Sequence, residues 1–209
     1  MGPDPHGPFR VGFDAGVTPD KWARVWAERM PRRRLDLVHL AGQDGVALLR
    51  TGALDMCLLR LPVDRDGLHL IPLYDEQPVV VVSVDHPVAA YDEVDVTDLA
   101  DEHLLQVPDT VPGWRGAATG VADGTRPPVR GTDLRKAVET VAAGAGVLVL
   151  PMSLARLHHR RDVTSVRVTG VPATQVGLAW PVTADDDRVE AFIGVVRGRT
   201  ANSSRGRGG

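Results

Sequence analysis

The chain lacks several sequence features that by themselves identify a class of protein. Of its 209 residues one is a cysteine, Cys57, which excludes an internal disulfide and the paired thiolates of most zinc sites. No apolar run approaches the ~18 residues of a membrane-spanning helix, and the N-terminus lacks an apolar core of signal-peptide length. The net charge is −3 with both signs interspersed, so no basic face for nucleic acid is predicted. We therefore expect a soluble cytoplasmic protein that contacts no membrane.

Catalytic and metal-binding motifs are also missing. The sequence contains no GxSxG elbow, no P-loop and no HExxH motif. The neighbouring His158 and His159 diverge on a helix, which favours a solvated helix end over a metal site. Cys57 lies in an apolar run and is interpreted as a buried hydrophobe. We therefore expect no catalytic residue, no metal and no cofactor. An enzyme on the same fold is kept as an alternative, because a fold does not determine a function.

What the sequence does contain is organised around residues Thr132–Pro151. Apolar residues recur at three- and four-residue steps from Leu134 to Ala143, which predicts a helix capped by Thr132 or Asp133. Gly144 and Gly146 then supply the left-handed or close-approach backbone of a helix exit. Residues 147–150 follow as an apolar run typical of a strand buried on both faces. The order helix, glycines, strand is the reverse of a dinucleotide-binding loop, so that function is rejected.

Two strand-helix units precede this stretch. The alternating Phe9–Phe13 predicts a strand, and the following Thr18-Pro19-Asp20 predicts a helix start with the Thr18 hydroxyl as its cap. Leu35–Leu40 is predicted as the next strand, Gly42–Thr51 as a loop and helix, and Leu54–Leu61 as a third strand. Consecutive units of this kind imply a parallel sheet with right-handed crossovers.

The remaining segments alternate less regularly. The patterns predict strands at Leu68–Leu73, Val79–Val84 and Val176–Trp180, an edge strand at Val163–Val168, and helices at Met152–His158 and Asp187–Val196. Val96–Leu105 is predicted to be a short helix that feeds a strand. The last residues, 199–209, are predicted to be a disordered tail.

Five motifs in this order resemble the effector-binding module of LysR-type transcriptional regulators. They are RVGF at 10–13, TGALD at 51–55, SVDHPVA at 83–89, VTDLADEHLL at 96–105 and VAAGAGVLVLP at 141–151. The resemblance implies an α/β, two-lobed fold like type 2 periplasmic binding proteins, with two crossover hinge strands and a small effector in the cleft. It places an N-terminal extension at 1–8, lobe I at 9–82 plus 172–198, lobe II at 83–171, and the crossovers at Pro78–Ser83 and Ala173–Ala179.

The chain departs from the family at its start. LysR-type regulators carry an N-terminal helix-turn-helix and a linker helix, whereas this sequence begins directly at the effector module. One interpretation is the sensor module of a regulator that binds DNA only through a helix-turn-helix not present in this chain. The alternative is a stand-alone cytoplasmic binding protein without DNA-binding activity.

The predicted effector site follows from the loops after the strands. In doubly wound lobes these loops and the helix N-termini face the cleft, where free N–H groups attract anions. The candidate residues are Asp14, Gly16, Thr18, Gly42, Gln43, Arg60, Pro62, Asp109, Thr110, Arg130 and Thr132. Relatives commonly have Ser or Thr where this chain has Gly16 and Gly42, which weakens the case for a carboxylate held as in those relatives. We expect a small polar metabolite, with the alternative that several of these residues only cap helices.

The first predicted helix also bears on association. Trp22, Val25, Trp26 and Met30, together with Leu35–Leu40 beside them, offer more apolar surface than one lobe obviously needs. Since the family pairs its lobes in antiparallel dimers, a homodimer is expected. The alternative is that both tryptophans belong to the core of their own lobe.

Overall fold

A computed structural model describes residues 7–118 and 133–198 of the chain. The chain divides into two compact units. The first runs to Tyr74 and resumes at Gln175, and the second comprises Asp75–Thr174. The first unit boundary therefore lies before Pro78–Ser83, the segment that the sequence analysis named as a crossover.

The described elements are nine strands and six α-helices. The strands are β1 (Phe9–Phe13), β2 (Leu35–His39), β3 (Met56–Arg60), β4 (Leu68–Glu76), β5 (Pro78–Ser83), β6 (Glu93–Asp95), β7 (Leu148–Pro151), β8 (Val163–Thr169) and β9 (Thr174–Pro181). The helices are α1 (Asp20–Arg29), α2 (Gly45–Arg50), α3 (Pro112–Ala117), α4 (Leu134–Ala142), α5 (Met152–Leu157) and α6 (Asp187–Val196). Short 3-10 helices lie at Pro87–Ala90, Val96–Leu99 and Pro108–Thr110.

The first unit is built on a five-stranded sheet in the order β2-β1-β3-β9-β4. Strand β1 pairs in parallel with both β2 and β3, as the two predicted strand-helix units require. Strand β9 pairs antiparallel with β3. The predicted parallel sheet is therefore confirmed for β1 to β3.

Apolar side chains cover both faces of this sheet. On one face Trp22 and Trp26 of α1 pack with Phe9 and Phe192, and the rings of Phe9 and Trp26 stack with centroids 5.3 Å apart. On the other face Leu49 of α2 packs with other buried residues of that face, including Cys57. Both tryptophans thus belong to the core of their own unit, as the alternative interpretation held.

A buried ion pair closes one side of the first core. Arg188 is 2% exposed, and its Nε and Nη2 donate to Asp186 Oδ2 over 2.8 and 2.6 Å. Its Nη1 donates to the Gly7 carbonyl, and the guanidinium lies 5.4 Å from the centre of the Phe9 ring. The charge is therefore paired and fully hydrogen-bonded, as a buried arginine must be.

The second unit contains a four-stranded sheet in the order β6-β8-β5-β7. Strand β5, a valine run, is buried along its whole length. The predicted edge strand Val163–Val168 is β8, which lies between β6 and β5, so the prediction of an edge was wrong. The short helix predicted within Val96–Leu105 is the 3-10 helix Val96–Leu99, and the strand that it was predicted to feed is present as a single parallel bridge between Leu104 and Val147. Asp95 and Asp98 form a reciprocal capping box around that turn, which satisfies its backbone donors without a longer helix.

The helix exit after α4 behaves as the sequence predicted. Asp133 caps the helix through Arg135 N–H, and Gly144 follows its end with φ of 74°. At Gly146 a Cβ would lie 2.4 Å from the His103 carbonyl oxygen, so only glycine fits there. Strand β7 follows, and its side chains are buried on both faces of the sheet. Val149 packs in the apolar cluster that contains Val80, and Leu148 packs in the cluster that contains Val81.

Candidate functional site

The first unit brings three of the predicted loops to one edge of its sheet. Because β1, β2 and β3 are parallel neighbours, the loops after them begin at the same edge. Two hydrogen bonds tie the loop after β1 to β3: Asp14 N–H donates to the Leu58 carbonyl over 3.1 Å, and Arg60 N–H donates to Asp14 Oδ2 over 2.9 Å. A third bond, from Leu40 N–H to the Phe13 carbonyl, ties β2 to β1. The three loops therefore form one continuous surface.

The acidic residues at this edge have structural partners. Asp14 accepts the Arg60 amide, and Asp44 caps α2 by accepting from Val46 and Ala47 N–H. Both carboxylates thus hold the loops in place, and only the Asp44 carboxylate does so as a helix cap. Asp14 in particular sets where the chain runs after β3.

Thr18 is placed differently from its predicted role. Helix α1 begins at Asp20 with Pro19 at the N-cap position, and no side-chain hydrogen bond caps it. The predicted cap by the Thr18 hydroxyl was therefore wrong. Pro19 fits the cap position sterically, but it leaves Thr18 one residue too early to reach the first helical N–H groups. The Thr18 side chain is exposed beside a helix start.

The other predicted residues of the first unit lie in the same loops. Gln43 is exposed, and its backbone N–H closes a turn onto the Leu40 carbonyl. Gly16 and Gly42 contribute only backbone groups. Pro62 is exposed two residues after Arg60, whose side chain is half-buried. This edge therefore offers one cation, one hydroxyl and one amide side chain.

The second unit holds Asp109 and Thr110 in a short 3-10 turn. The Asp109 carboxylate forms an ion pair with Arg115. The Thr110 hydroxyl donates to the Val107 carbonyl over 2.6 Å and accepts from Gln106 Nε2 over 3.0 Å. Arg130 and Thr132 lie outside the described residues.

Gln106 is a residue that the sequence analysis missed. Its Oε1 accepts from Val149 N–H over 2.7 Å, which links the turn to the edge strand β7, while its Nε2 donates to Thr110. The signal for it is a single amide side chain between the apolar residues Leu105 and Val107, directly after the predicted strand ends. Gln106 positions Thr110 and fixes the hydroxyl direction.

Cys57 lies deep in β3. Its side chain is 0% exposed, and the burial, with a smaller contribution from the Asp14 carboxylate, raises the pKa of the thiol to about 12. Since the thiolate is the reactive form, this cysteine is unreactive at neutral pH. The prediction of a buried, small hydrophobe is confirmed.

Among residues 7–118 and 133–198, no three His, Cys, Asp or Glu side chains are grouped so as to hold a metal ion. The described helices likewise include none with the length and apolar character needed to cross a membrane.

Comparisons with known proteins agree with this architecture. The LysR substrate binding domain family matches residues 3–201. A probable hydrogen peroxide-inducible genes activator of Mycobacterium avium is 30% identical over 204 residues, covering 90% of this chain and 65% of that protein. The chain thus spans slightly less than two thirds of that relative.

Solved structures show the same fold. A cysteine-to-aspartate mutant of the OxyR regulatory domain from Pseudomonas aeruginosa aligns with a TM-score of 0.68 and 25% identity, over 91% of this chain and 96% of that one. A cysteine-to-serine mutant of Corynebacterium glutamicum OxyR with H2O2 bound aligns with a TM-score of 0.73 and 25% identity, over 92% and 64%. The predicted α/β fold class, with two sheets, is confirmed.

Proposed function

Because the chain belongs to the LysR substrate binding domain family, which serves transcriptional regulators and is not a family of enzymes, we propose that it is a sensor module that binds a small polar metabolite and thereby controls transcription. The observation that carries this proposal is the continuous loop surface after β1, β2 and β3. It combines a cation, Arg60, with two exposed polar side chains, Thr18 and Gln43, on loops fixed by the Asp14 carboxylate.

The effector is proposed to bind at this loop surface of lobe I through Arg60, Thr18 and Gln43. Thr110, Arg130 and Thr132 are proposed as candidate ligand-binding residues of lobe II. Gly16 and Gly42 contribute backbone N–H groups and Pro62 contributes an apolar contact. Asp14 and Asp109 act as positioning residues through Arg60 N–H and Arg115.

The effector is proposed to be a reversibly bound metabolite and not a peroxide that oxidises a thiol. Oxidation by peroxide requires an accessible thiolate. The chain has only Cys57, which is fully buried with a raised pKa. Names that refer to hydrogen peroxide belong to the relatives, and the only thiol of this module is not accessible to a peroxide.

DNA contact is assigned to a helix-turn-helix outside this module. The proposed site of action is the cytoplasm, because control of transcription requires access to DNA.

A homodimer is proposed through the edge strand β2, whose Leu35 and Leu37 are only partly buried. The dimer is not assigned to the tryptophans of α1, because both pack in the core. Light scattering that shows only monomer at micromolar concentration would contradict the dimer.

Calorimetry against a panel of polar metabolites tests the effector site. A compound that binds the wild type should lose at least tenfold in affinity in Arg60→Ala, because a charge-assisted hydrogen bond contributes about 1.5–3 kcal/mol. Arg65→Ala is the matched control, because Arg65 is an exposed arginine in the loop between β3 and β4 that follows Arg60. Equal losses in both variants, or chemical turnover of the compound, would refute the assignment.

A further inference from the structure

His86 lies where the chain leaves β5, and its ring caps the short 3-10 helix Pro87–Ala90. Its Nδ1 accepts from the Val88 N–H over 3.2 Å, and its backbone N–H donates to the Ser83 carbonyl over 3.0 Å. Helix caps are ordinarily Ser, Thr, Asp or Asn, whose oxygen acceptors persist at neutral and mildly acidic pH. A histidine cap differs, because histidine ordinarily changes its charge between about pH 5 and 8.

The other ring nitrogen contacts Glu102, in the segment that follows the 3-10 helix Val96–Leu99. His86 Nε2 lies 3.2 Å from Glu102 Oε2, and the histidine side chain is only 15% exposed. Because Nδ1 accepts a hydrogen bond, the neutral imidazole carries its proton on Nε2 and donates it to the carboxylate. The ring thus joins two segments of the second unit, and only this tautomer makes both bonds.

A second proton on the His86 ring is incompatible with the cap. In an imidazolium both nitrogens are donors. The Nδ1–H and the Val88 N–H would then face each other over 3.2 Å without an acceptor between them. The contact with Glu102 would instead become a charge-assisted hydrogen bond, which is stronger than the neutral one. Protonation therefore breaks one bond of the ring and strengthens the other.

The charged groups around the ring leave Glu102 as its partner. Strands β5 and β8 pack against the turn, and β5 has no ionisable side chain while β8 has only the exposed Arg167. Among the described residues, Glu102 is the carboxylate paired with His86. The titratable residues on the adjoining segments are exposed or, for the last two, paired with each other: Asp85, Asp101, His103, Arg160 and Asp162.

We propose that His86 is a pH-sensitive latch on the turn Pro87–Ala90. In its neutral form the ring caps the turn and holds Glu102 at the same time. When a proton from solvent adds to Nδ1, the bond from Val88 N–H breaks and the turn loses its cap, while the ring stays paired with Glu102. None of these residues belongs to the effector set, so the latch does not depend on the proposed function.

Nuclear magnetic resonance of the 15N-labelled 209-residue chain tests the latch. At about pH 8, long-range 1H–15N spectra should show His86 with Nδ1 unprotonated and Nε2 protonated. As the pH falls from about 8 to 5, the Val88 amide shift should follow the same curve as the His86 ring nitrogens. The protection factor of that amide against hydrogen exchange should fall by about 2- to 10-fold, the contribution of one hydrogen bond.

Two controls are matched to this turn. His86→Asn keeps an acceptor that caps well and does not titrate, so its Val88 amide should not respond over the same range. In the wild type the Thr97 amide, which donates to Asp95 Oδ1 over 2.9 Å, should also stay unchanged. The hydrogen bond from the Thr97 hydroxyl lowers the pKa of the Asp95 carboxyl, so this second cap remains ionised.

A proton on Nδ1 at the upper end of the pH range would overturn the proposal. So would a Val88 amide shift that does not follow the imidazole, or the same shift change in His86→Asn. A parallel change at the Thr97 amide would mean that acid loosens the second unit as a whole, which would contradict a local latch.

Discussion

Replacing Gly146 by alanine is expected to destabilise the second unit strongly. The new Cβ would lie 2.4 Å from the His103 carbonyl oxygen, against the ~3.3 Å of the closest ordinary C···O contacts. That oxygen accepts from Val147 N–H over 2.8 Å, and Leu105 N–H donates back to the Val147 carbonyl over 2.9 Å. Moving the carbonyl by about 1 Å would break this pair, at about 0.5–1.5 kcal/mol for each bond. With backbone strain of about 1 kcal/mol or more, the expected loss is about 2–5 kcal/mol.

Gly144→Ala is the matched control. Gly144 also has a positive φ, 74°, but no atom lies within 4 Å of its added Cβ, so only the left-handed strain of about 1–2 kcal/mol applies. Urea unfolding followed by far-UV circular dichroism measures both variants, and the midpoint for Gly146→Ala should be clearly the lower. Equal midpoints would refute the close approach between the helix exit and the His103 carbonyl.

Three further predictions concern buried groups. Asp186→Asn should destabilise the fold by about 3–5 kcal/mol, because it removes the carboxylate charge that pairs with the buried Arg188 guanidinium. The hydrogen bonds from Arg188 lower the pKa of Asp186. The stability that this pair contributes is therefore complete above the ordinary carboxyl pKa of about 3.9 and is lost as the pH falls through the lowered pKa. Below that lowered pKa the free energies of unfolding of wild type and variant should converge. Cys57 should not react with a thiol reagent at pH 7 in the native protein but should react fully in urea, and rapid native labelling would contradict its burial. Trp114→Phe should cost about 1–3 kcal/mol in urea titrations, because the indole N–H donates to the buried Leu99 carbonyl over 2.7 Å; an unchanged midpoint would contradict that bond.

The parts of the fold that the sequence predicted are those fixed by local chemistry. The period change in Thr132–Pro151 located α4, the glycine exit and β7, because each step is dictated by side chains close in sequence. Strand order is not local, so the alternating pattern of Val163–Val168 predicts an edge strand although β8 lies inside its sheet. Alternation shows that one face of a strand is exposed, as Ser165, Arg167 and Thr169 of β8 are, but it does not show how many strands pair with it.

The candidate site was predictable in its location but not in its bonding. Parallel strand ends already placed Asp14, Gln43 and Arg60 at one edge of a sheet. That the Asp14 carboxylate accepts from the Arg60 amide depends on a contact 46 residues apart, which no local pattern encodes. Trp22 and Trp26 were equally ambiguous, because an apolar helix face can serve a core or a partner, and here the core uses both.

We propose that a small polar effector binds at the loops after β1, β2 and β3. The most direct measurement is a titration of the 15N-labelled chain with a metabolite that calorimetry has shown to bind, followed by amide chemical shifts. The largest shifts are expected at the amides of Thr18, Gln43 and Arg60. Shifts confined to other surfaces, such as the neighbourhood of Trp180, with these three amides unmoved, would contradict it.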